Sequence, residues 1–159
     1  MKTETFDFAG YNGSILPAYL WMPDGEVKAV LQITHGMTEH IGRYSDLGKY
    51  FANRGIAVAG YDLRGHGEAA TSKECASFGE GGWERSISDM NLFMNHIKDK
   101  FPGKPIFMLG FSLGSFLLRE YLNSNYEKPA GAVIMGTGYQ PPLILSIIIG
   151  IVKTQIKKK

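Results

Sequence analysis

One serine in this sequence has neighbours that suit nucleophilic chemistry. Ser112 is the centre of Gly-Phe-Ser-Leu-Gly, which follows an apolar run and precedes apolar residues at helical spacing. This order predicts a strand, a sharp turn and a helix, with the Ser112 hydroxyl lifted clear of the sheet. Gly110 and Gly114 have no Cβ to block the close approach of helix and strand. The N–H of Leu113, at the helix N-terminus, is placed to stabilise an oxyanion. An ordinary strand-to-helix turn is the competing interpretation.

The elements that must position this turn follow from the spacing of apolar residues. Two strands at residues 3–8 and 15–22 flank Asn12 and Gly13, which accept the positive φ angles of a tight hairpin turn. Further strands are predicted at residues 27–34, 56–61, 105–110 and 132–135, and helices at residues 44–51, 83–100 and beyond Ser112. After the hairpin, strands and helices alternate. The chain is therefore predicted to be an α/β protein with a mostly parallel sheet and helices on both faces.

Polar residues follow the buried strands of this predicted sheet. His35, Asp62, Ser112 and Thr137 each come directly or almost directly after a strand. Ligands of parallel sheets bind beyond the carboxyl ends of the strands, so these residues mark the predicted site edge.

Composition limits the possible functions. With 159 residues, 44% of them hydrophobic and 20% charged, the chain is predicted to form one globular domain. The net charge of +2, with basic and acidic residues interspersed, gives no reason to expect a nucleic-acid partner. Cys75 is the single cysteine and has no internal partner for a disulfide. Together with the lack of a leader-like opening, this predicts a cytoplasmic protein.

Neither a cofactor nor a metal is expected. The glycines at positions 79, 81 and 82 do not follow a strand at phosphate-binding spacing. His35, Glu39 and His40 do not have the spacing of His-Glu-x-x-His, and Gly36 argues against a helix that would carry them.

Two further histidines and three charged residues are candidates for the site or its surroundings. His66, between two glycines, is interpreted as a loop residue that is hydrogen-bonded for shape, and His96 as a solvated surface residue. Arg64, Glu39 and Arg43 either pair around the mouth of the site or are plain solvent-exposed charges, and both alternatives stay open.

Three motifs together resemble a known family. They are Gly-Phe-Ser-Leu-Gly at residues 110–114, His-Gly-Met-Thr-Glu-His-Ile-Gly-Arg-Tyr at residues 35–44 and Asp-Leu-Arg-Gly-His-Gly at residues 62–67. In this order they resemble the α/β-hydrolase superfamily, and within it the monoacylglycerol lipase and lysophospholipase group, whose domain is described as serine aminopeptidase-like (S33). The resemblance covers the chain from the opening hairpin to Pro141 and Pro142.

The resemblance implies specific roles at the site. Ser112 would be the acylated nucleophile, and the backbone N–H groups of Met37 and Leu113 would form the oxyanion hole. His35 and Gly36 would shape the loop that carries Met37, whose side chain would face an acyl pocket. The implied substrate is a small acyl ester or lipid, such as a monoacylglycerol or a lysophospholipid.

The chain departs from this family pattern after the nucleophile. In α/β-hydrolases the triad acid and histidine follow the serine, but residues 113–159 contain neither Asp nor His. Glu120, on the nucleophile's own helix, and Glu127 cannot be carried over as the triad acid. The fold is therefore expected to be truncated before its last strands, and this chain alone is expected to hydrolyse esters barely or not at all. The strand at residues 132–135 would become an exposed edge through which copies self-associate.

The chain end is predicted to differ from the rest. Residues 1–142 would be the amino-terminal part of the hydrolase core. Residues 143–159, a short apolar run followed by lysines, would begin a cap helix, lie peripherally on a membrane as a basic amphipathic segment, or form an exposed tail.

Two functional classes therefore remain. The first is a serine hydrolase of acyl esters that acts through an acyl-enzyme at Ser112, with thioesters or peptides as substrates that the sequence does not separate from esters. The second is a non-catalytic α/β-hydrolase-like module.

Overall fold

The structure is a computed structural model that describes residues 1–70, 75–139, 141–142, 145–146, 149 and 154. Six strands and three helices of the described chain follow one another in the predicted alternation. The strands are β1 (Lys2–Ala9), β2 (Ile15–Met22), β3 (Ala29–Thr34), β4 (Ile56–Tyr61), β5 (Ile106–Phe111) and β6 (Gly131–Met135). The helices are α1 (Ser45–Ala52), α2 (Gly82–Lys100) and α3 (Leu113–Asn123).

The six strands form one sheet in the order β1-β2-β4-β3-β5-β6. The hairpin strand β2 pairs antiparallel with both β1 and β4, and β4, β3, β5 and β6 are parallel to their neighbours. The mostly parallel sheet and its amino-terminal hairpin are therefore confirmed. Strand β3 lies between β4 and β5 and is buried along nearly its whole length, as its apolar sequence predicted.

Helices cover both faces of the sheet, and each face has its own apolar core. On one face α2 and α3 contribute apolar side chains such as Phe93 and Leu117, which pack against strand residues such as Val30 and Met108. On the other face α1 covers a smaller cluster that contains Trp21 and Ile33. Burial of these apolar side chains holds the strands in register, and the register places the strand ends that carry the site.

Three predicted boundaries need correction. The hairpin connection runs from Gly10 to Ser14 and is longer than a tight turn, although Asn12 and Gly13 do have positive φ angles of 58° and 73°. The strand predicted from residue 27 begins at Ala29, because residues 26–28 follow a bend at residues 24 and 25 and are not part of the strand. The helix predicted at residues 44–51 is preceded by a separate 3-10 turn, Ile41–Tyr44.

The last strand of the described chain has a partner on one side only. Strand β6 pairs with β5, and within the described residues no strand pairs with its other edge. Val133, Ile134 and Met135 are 50%, 42% and 44% exposed, although they are apolar and consecutive. Because consecutive strand residues point to opposite faces, both faces of the sheet are open at this edge. The expected exposed edge is therefore present.

Most of residues 143–159, on which the cap-helix and membrane interpretations fall, lie outside the described residues. Among the described helices, none is long and apolar enough to cross a bilayer.

Candidate active site

The turn between β5 and α3 holds Ser112 in a rare backbone conformation. Its φ of 49° and ψ of −114° lie outside the regions that L-residues normally occupy. The turn is fixed from both sides, because the Ser112 N–H donates to the Met135 carbonyl oxygen at 2.9 Å and the Ser112 carbonyl accepts the Ser115 hydroxyl at 2.6 Å. Neighbouring structure thus holds a strained serine at a strand-to-helix turn, as the sequence predicted.

Both glycines of the motif are required by close packing. A Cβ at Gly114 would overlap the carbonyl oxygen of Thr34, at the end of β3, and a Cβ at Gly110 would overlap the backbone of Gly114. The first turn of α3 therefore lies directly against the ends of β3 and β5. Leu113 follows Ser112 and is the first residue of α3. Because the N–H groups of a first helical turn have no partner inside the helix, the Leu113 N–H is free of an intrahelical bond.

The loop after β3 lies beside this turn. Thr34 of β3 is in register with Gly110 of β5, so the segments that follow these two strands leave the sheet at the same level. A Cβ built on Gly36 would lie 3.2 Å from the Cβ of Ser112, which places this loop in contact with the serine. In the described part of the chain, no acceptor bonds the Met37 N–H. The structure thus brings Gly36 next to Ser112 and the His35 carbonyl next to Gly114, and the oxyanion role of Met37 stays a prediction.

His35 is completely buried and uses both ring nitrogens. The Leu63 N–H donates to His35 Nε2 at 2.9 Å, so the ring proton is on Nδ1, which lies 2.8 Å from the Gly36 carbonyl oxygen. Burial lowers the pKa of His35 below its usual 6.5, which keeps the ring neutral. With both nitrogens occupied, His35 shapes the loop and does not serve as a base for Ser112.

Two other polar residues at the strand ends are also engaged with backbone. The Asp62 carboxylate is buried and accepts the N–H groups of Ile41 and Glu68, each at 2.8 Å. His66 Nδ1 lies 2.8 Å from the Arg64 carbonyl oxygen, in agreement with the predicted role of His66 in shaping its loop. Both residues therefore fix loops at the carboxyl edge of the sheet.

The structure shows where the three charged residues lie whose roles the sequence left open. Arg64 lies against the hairpin connection, where it donates to the Tyr11 carbonyl and the Ser14 hydroxyl and pairs with buried Asp89 at 2.6 Å. Glu39 and Arg43 do pair near the site, at 3.3 Å, and Tyr44 donates to the same carboxylate at 2.8 Å. The role of Tyr44 was missed, because its spacing with later apolar residues indicated only a helix face.

A cavity of about 200 Å³ is lined by Glu39, Arg43, Tyr44, Phe111 and Met135.

The remaining candidates lie away from the turn. His96 is exposed, as predicted, and its ring stacks on Phe6 with 5.3 Å between ring centres. Cys75 is a free, exposed thiol. A larger cavity of about 460 Å³ lies against α3, between residues such as Phe116, Arg119 and Tyr139, and its lining does not include Ser112. Among the described residues, no group of His, Cys, Asp or Glu side chains has the arrangement of a metal site.

The described residues place no base at the nucleophile. No histidine or carboxylate of the described chain hydrogen-bonds the Ser112 hydroxyl. The site thus combines a strained serine, a helix N-terminus and an adjacent glycine loop, without a proton acceptor for the serine.

A mostly parallel sheet that opens with an antiparallel hairpin, and that carries a strained serine between an inner strand and a helix, defines the α/β-hydrolase class. The chain belongs to the serine aminopeptidase S33 family, whose model matches residues 25–158.

Several proteins similar to this chain are named as lipases and esterases. The monoglyceride lipase of Homo sapiens is 29% identical over 138 residues, which cover 85% of this chain and 42% of that protein. The monoacylglycerol lipase of Mycolicibacterium smegmatis is 28% identical over 135 residues, which cover 80% and 44%. A thermostable carboxyl esterase from Bacillus coagulans, solved in complex with glycerol, superimposes with a TM-score of 0.85 at 26% identity, covering 99% of this chain and 51% of that one. The chain thus spans about half or less of these relatives' lengths.

Proposed function

We propose that this chain carries the nucleophile half of a serine hydrolase for acyl esters of the monoacylglycerol or lysophospholipid type. The observation that carries the proposal is the strained backbone of Ser112, held against the Gly36 loop and the first turn of α3. Strain of 1–3 kcal/mol, roughly, persists only where surrounding structure imposes it, and such residues cluster at active sites.

The chemistry follows from the groups at this turn. Ser112 Oγ attacks the ester carbonyl carbon, and the negative charge that develops on the carbonyl oxygen is stabilised by the N–H groups of Met37 and Leu113. The bond to the alkoxy group breaks, and the alcohol leaves with the proton of the serine, so that an acyl-serine remains. Water then hydrolyses the acyl-serine and restores the hydroxyl.

Proton transfer limits this chain taken alone. The described residues place no base at Ser112, and a serine hydroxyl without a base is a weak nucleophile at neutral pH. We therefore expect slow acylation. Contact with lipid through residues 143–159 and a cytoplasmic location belong to the same proposal.

A fluorophosphonate probe tests the proposal, because it reacts with activated serines. The folded chain, incubated with excess probe for hours, should be labelled on the peptide that contains Ser112, as identified by mass spectrometry. Ser112→Ala should abolish the label, and Ser88→Ala, which removes a half-buried serine of α2, should not change it. A labelled wild-type chain should also release fatty acid from a monoacylglycerol slowly.

The second candidate is a non-catalytic α/β-hydrolase module. The absence of a hydrogen bond from the described residues to the Ser112 hydroxyl favours it. A folded chain that stays unlabelled under the conditions above would support this module and exclude the ester hydrolase.

A further inference from the structure

The carboxylate of Glu39 is buried beside the loop that follows β3. Its side chain is 7% exposed, although Arg43, its ion-pair partner, is 63% exposed. Oε1 accepts the Gly36 N–H at 2.5 Å and the Tyr44 hydroxyl at 2.8 Å. Burial of a carboxylate is unfavourable unless its oxygens are hydrogen-bonded, and these three partners satisfy them. Glu39 is therefore built into the loop and is not a solvent-exposed charge.

Glu39 and His35 hold two successive peptide groups of this loop. Glu39 binds the N–H of the peptide between His35 and Gly36, and His35 Nδ1–H binds the carbonyl of the next peptide, between Gly36 and Met37. That second peptide is trans, so its carbonyl and the Met37 N–H point in opposite directions. Fixing the Gly36 carbonyl and the preceding N–H thus fixes the direction of the Met37 N–H.

The same carboxylate lies close to the nucleophile. A Cβ built on Gly36 would lie 2.9 Å from Glu39 Oε1 and 3.2 Å from the Cβ of Ser112. The backbone of Gly36 is thus the spacer between the carboxylate and the serine. Thr38, with φ of 58°, turns the chain so that Glu39 can reach back to Gly36.

We propose that Glu39 is a positioning residue, whose carboxylate holds the Gly36 peptide so that the Met37 N–H faces the oxygen that becomes negatively charged at Ser112. This inference rests on the proposed function. Glu39 does not contact the reacting atoms and acts only through the loop backbone. Arg43 and Tyr44 offset its negative charge, which would otherwise oppose an oxyanion nearby.

The rate of Ser112 labelling by a fluorophosphonate tests this role, because the phosphonyl oxygen occupies the same oxyanion position. Glu39→Ala should lower the second-order rate constant by about 10- to 100-fold, because a displaced oxyanion donor costs less than a removed one, which costs about 100- to 1000-fold. Glu39→Gln keeps an acceptor oxygen and should lower the rate constant of labelling by less than about fivefold. Asp46→Ala, which removes a carboxylate on α1 that is 101% exposed, is the matched control and should label at the wild-type rate.

Amide NMR provides a second measurement that does not depend on reactivity. In the ¹⁵N-labelled chain, the Gly36 proton should resonate far downfield, because it donates to a carboxylate. Glu39→Ala should move the Gly36 and Met37 resonances strongly, and Glu39→Gln should move them less.

The outcomes separate the two proposals. Equal labelling rates for wild type and Glu39→Ala, both folded, would overturn the positioning role and leave the serine hydrolase intact. If the wild type is not labelled, the hydrolase proposal fails, and an unchanged Met37 resonance in Glu39→Ala would then overturn the positioning role as well.

Discussion

The backbone N–H of Leu63, after β4, donates to the Nε2 atom of His35, after β3, at 2.9 Å. This bond joins the ends of two neighbouring parallel strands. Because the same ring donates through Nδ1 to the Gly36 carbonyl, it transmits the position of the β4 loop to the loop beside Ser112. The bond exists only while His35 is neutral, since a protonated Nε2 has no lone pair to accept it.

Stability should therefore depend on pH through His35. Burial lowers the pKa of His35 from 6.5, so the unfolded chain binds this proton at a higher pH than the folded chain does. The free energy of unfolding should be constant above pH 6.5 and fall below it, by at most about 1.4 kcal/mol per pH unit for one proton. Urea titrations between pH 7.5 and about 5 would measure this slope.

His35→Gln is the control for this pH dependence, because it removes the titrating group. An equal slope in wild type and His35→Gln would contradict the assignment. The pKa of Glu4, lowered to about 2 by Lys100 and then Lys2, contributes only as pH falls below its usual 4.5. The titration of Glu4 therefore lies below the pH range in which His35 is tested.

Gly114→Ala should destabilise the chain by about 2–3 kcal/mol, because its Cβ would overlap the Thr34 carbonyl and force α3 away from β3. Gly25→Ala is the matched control, since no atom lies within 4 Å of its Cβ. The control should be neutral or stabilise slightly. Urea midpoints of the two variants test the close approach. Equal midpoints would show that the helix is not so near the strand end.

Asp89→Ala should cost about 3–5 kcal/mol of unfolding free energy, because it leaves the guanidinium of Arg64 buried without its partner. Asp89 is 1% exposed and also accepts the Tyr11 N–H at 2.6 Å. Glu127→Ala breaks an ion pair of similar length, 2.7 Å, whose partners are 48% and 58% exposed, and should change stability by less than about 1 kcal/mol. Thermal or urea unfolding would compare the two. Similar losses of unfolding free energy in Asp89→Ala and Glu127→Ala would contradict the importance of burial for the ion pair.

We expect the purified chain to self-associate through β6, because its free edge and apolar residues accept another strand. Val133→Lys should shift the sedimentation profile toward monomer. Ile15→Lys, which replaces a similarly exposed apolar residue on the hairpin, should leave the profile unchanged. Loss of association in both variants would indicate a nonspecific effect of charge.

The strands and the nucleophile turn could be predicted because their signals are local. Strand β4 follows from a continuous apolar run, and the Ser112 turn from glycines that no other residue could replace. The length of the hairpin connection could not be predicted in this way. The Tyr11 N–H binds Asp89 on α2, and the Tyr11 carbonyl accepts from Arg64, so the connection is shaped by residues distant in sequence.

The same limit applies to the site. From the sequence, Glu39 could either pair at the mouth of the active site or be a solvent-exposed charge. Its burial depends on how the turn Ile41–Tyr44 folds back over it, which the sequence does not reveal. The separate 3-10 turn was missed, since apolar residues at three- and four-residue spacing fit either helix type.

The pairing of Thr34 with Gly110 has a consequence for how this chain can change over evolution. Each residue added to or removed from β3 or β5 would shift one departing loop by about 3.3 Å and turn its side chains to the opposite face. Substitutions within these strands can be absorbed by repacking, but insertions and deletions cannot. Homologues should therefore vary in length in the connections at the amino ends of these two strands, and keep the number of residues between Ala29 and Gly36 constant.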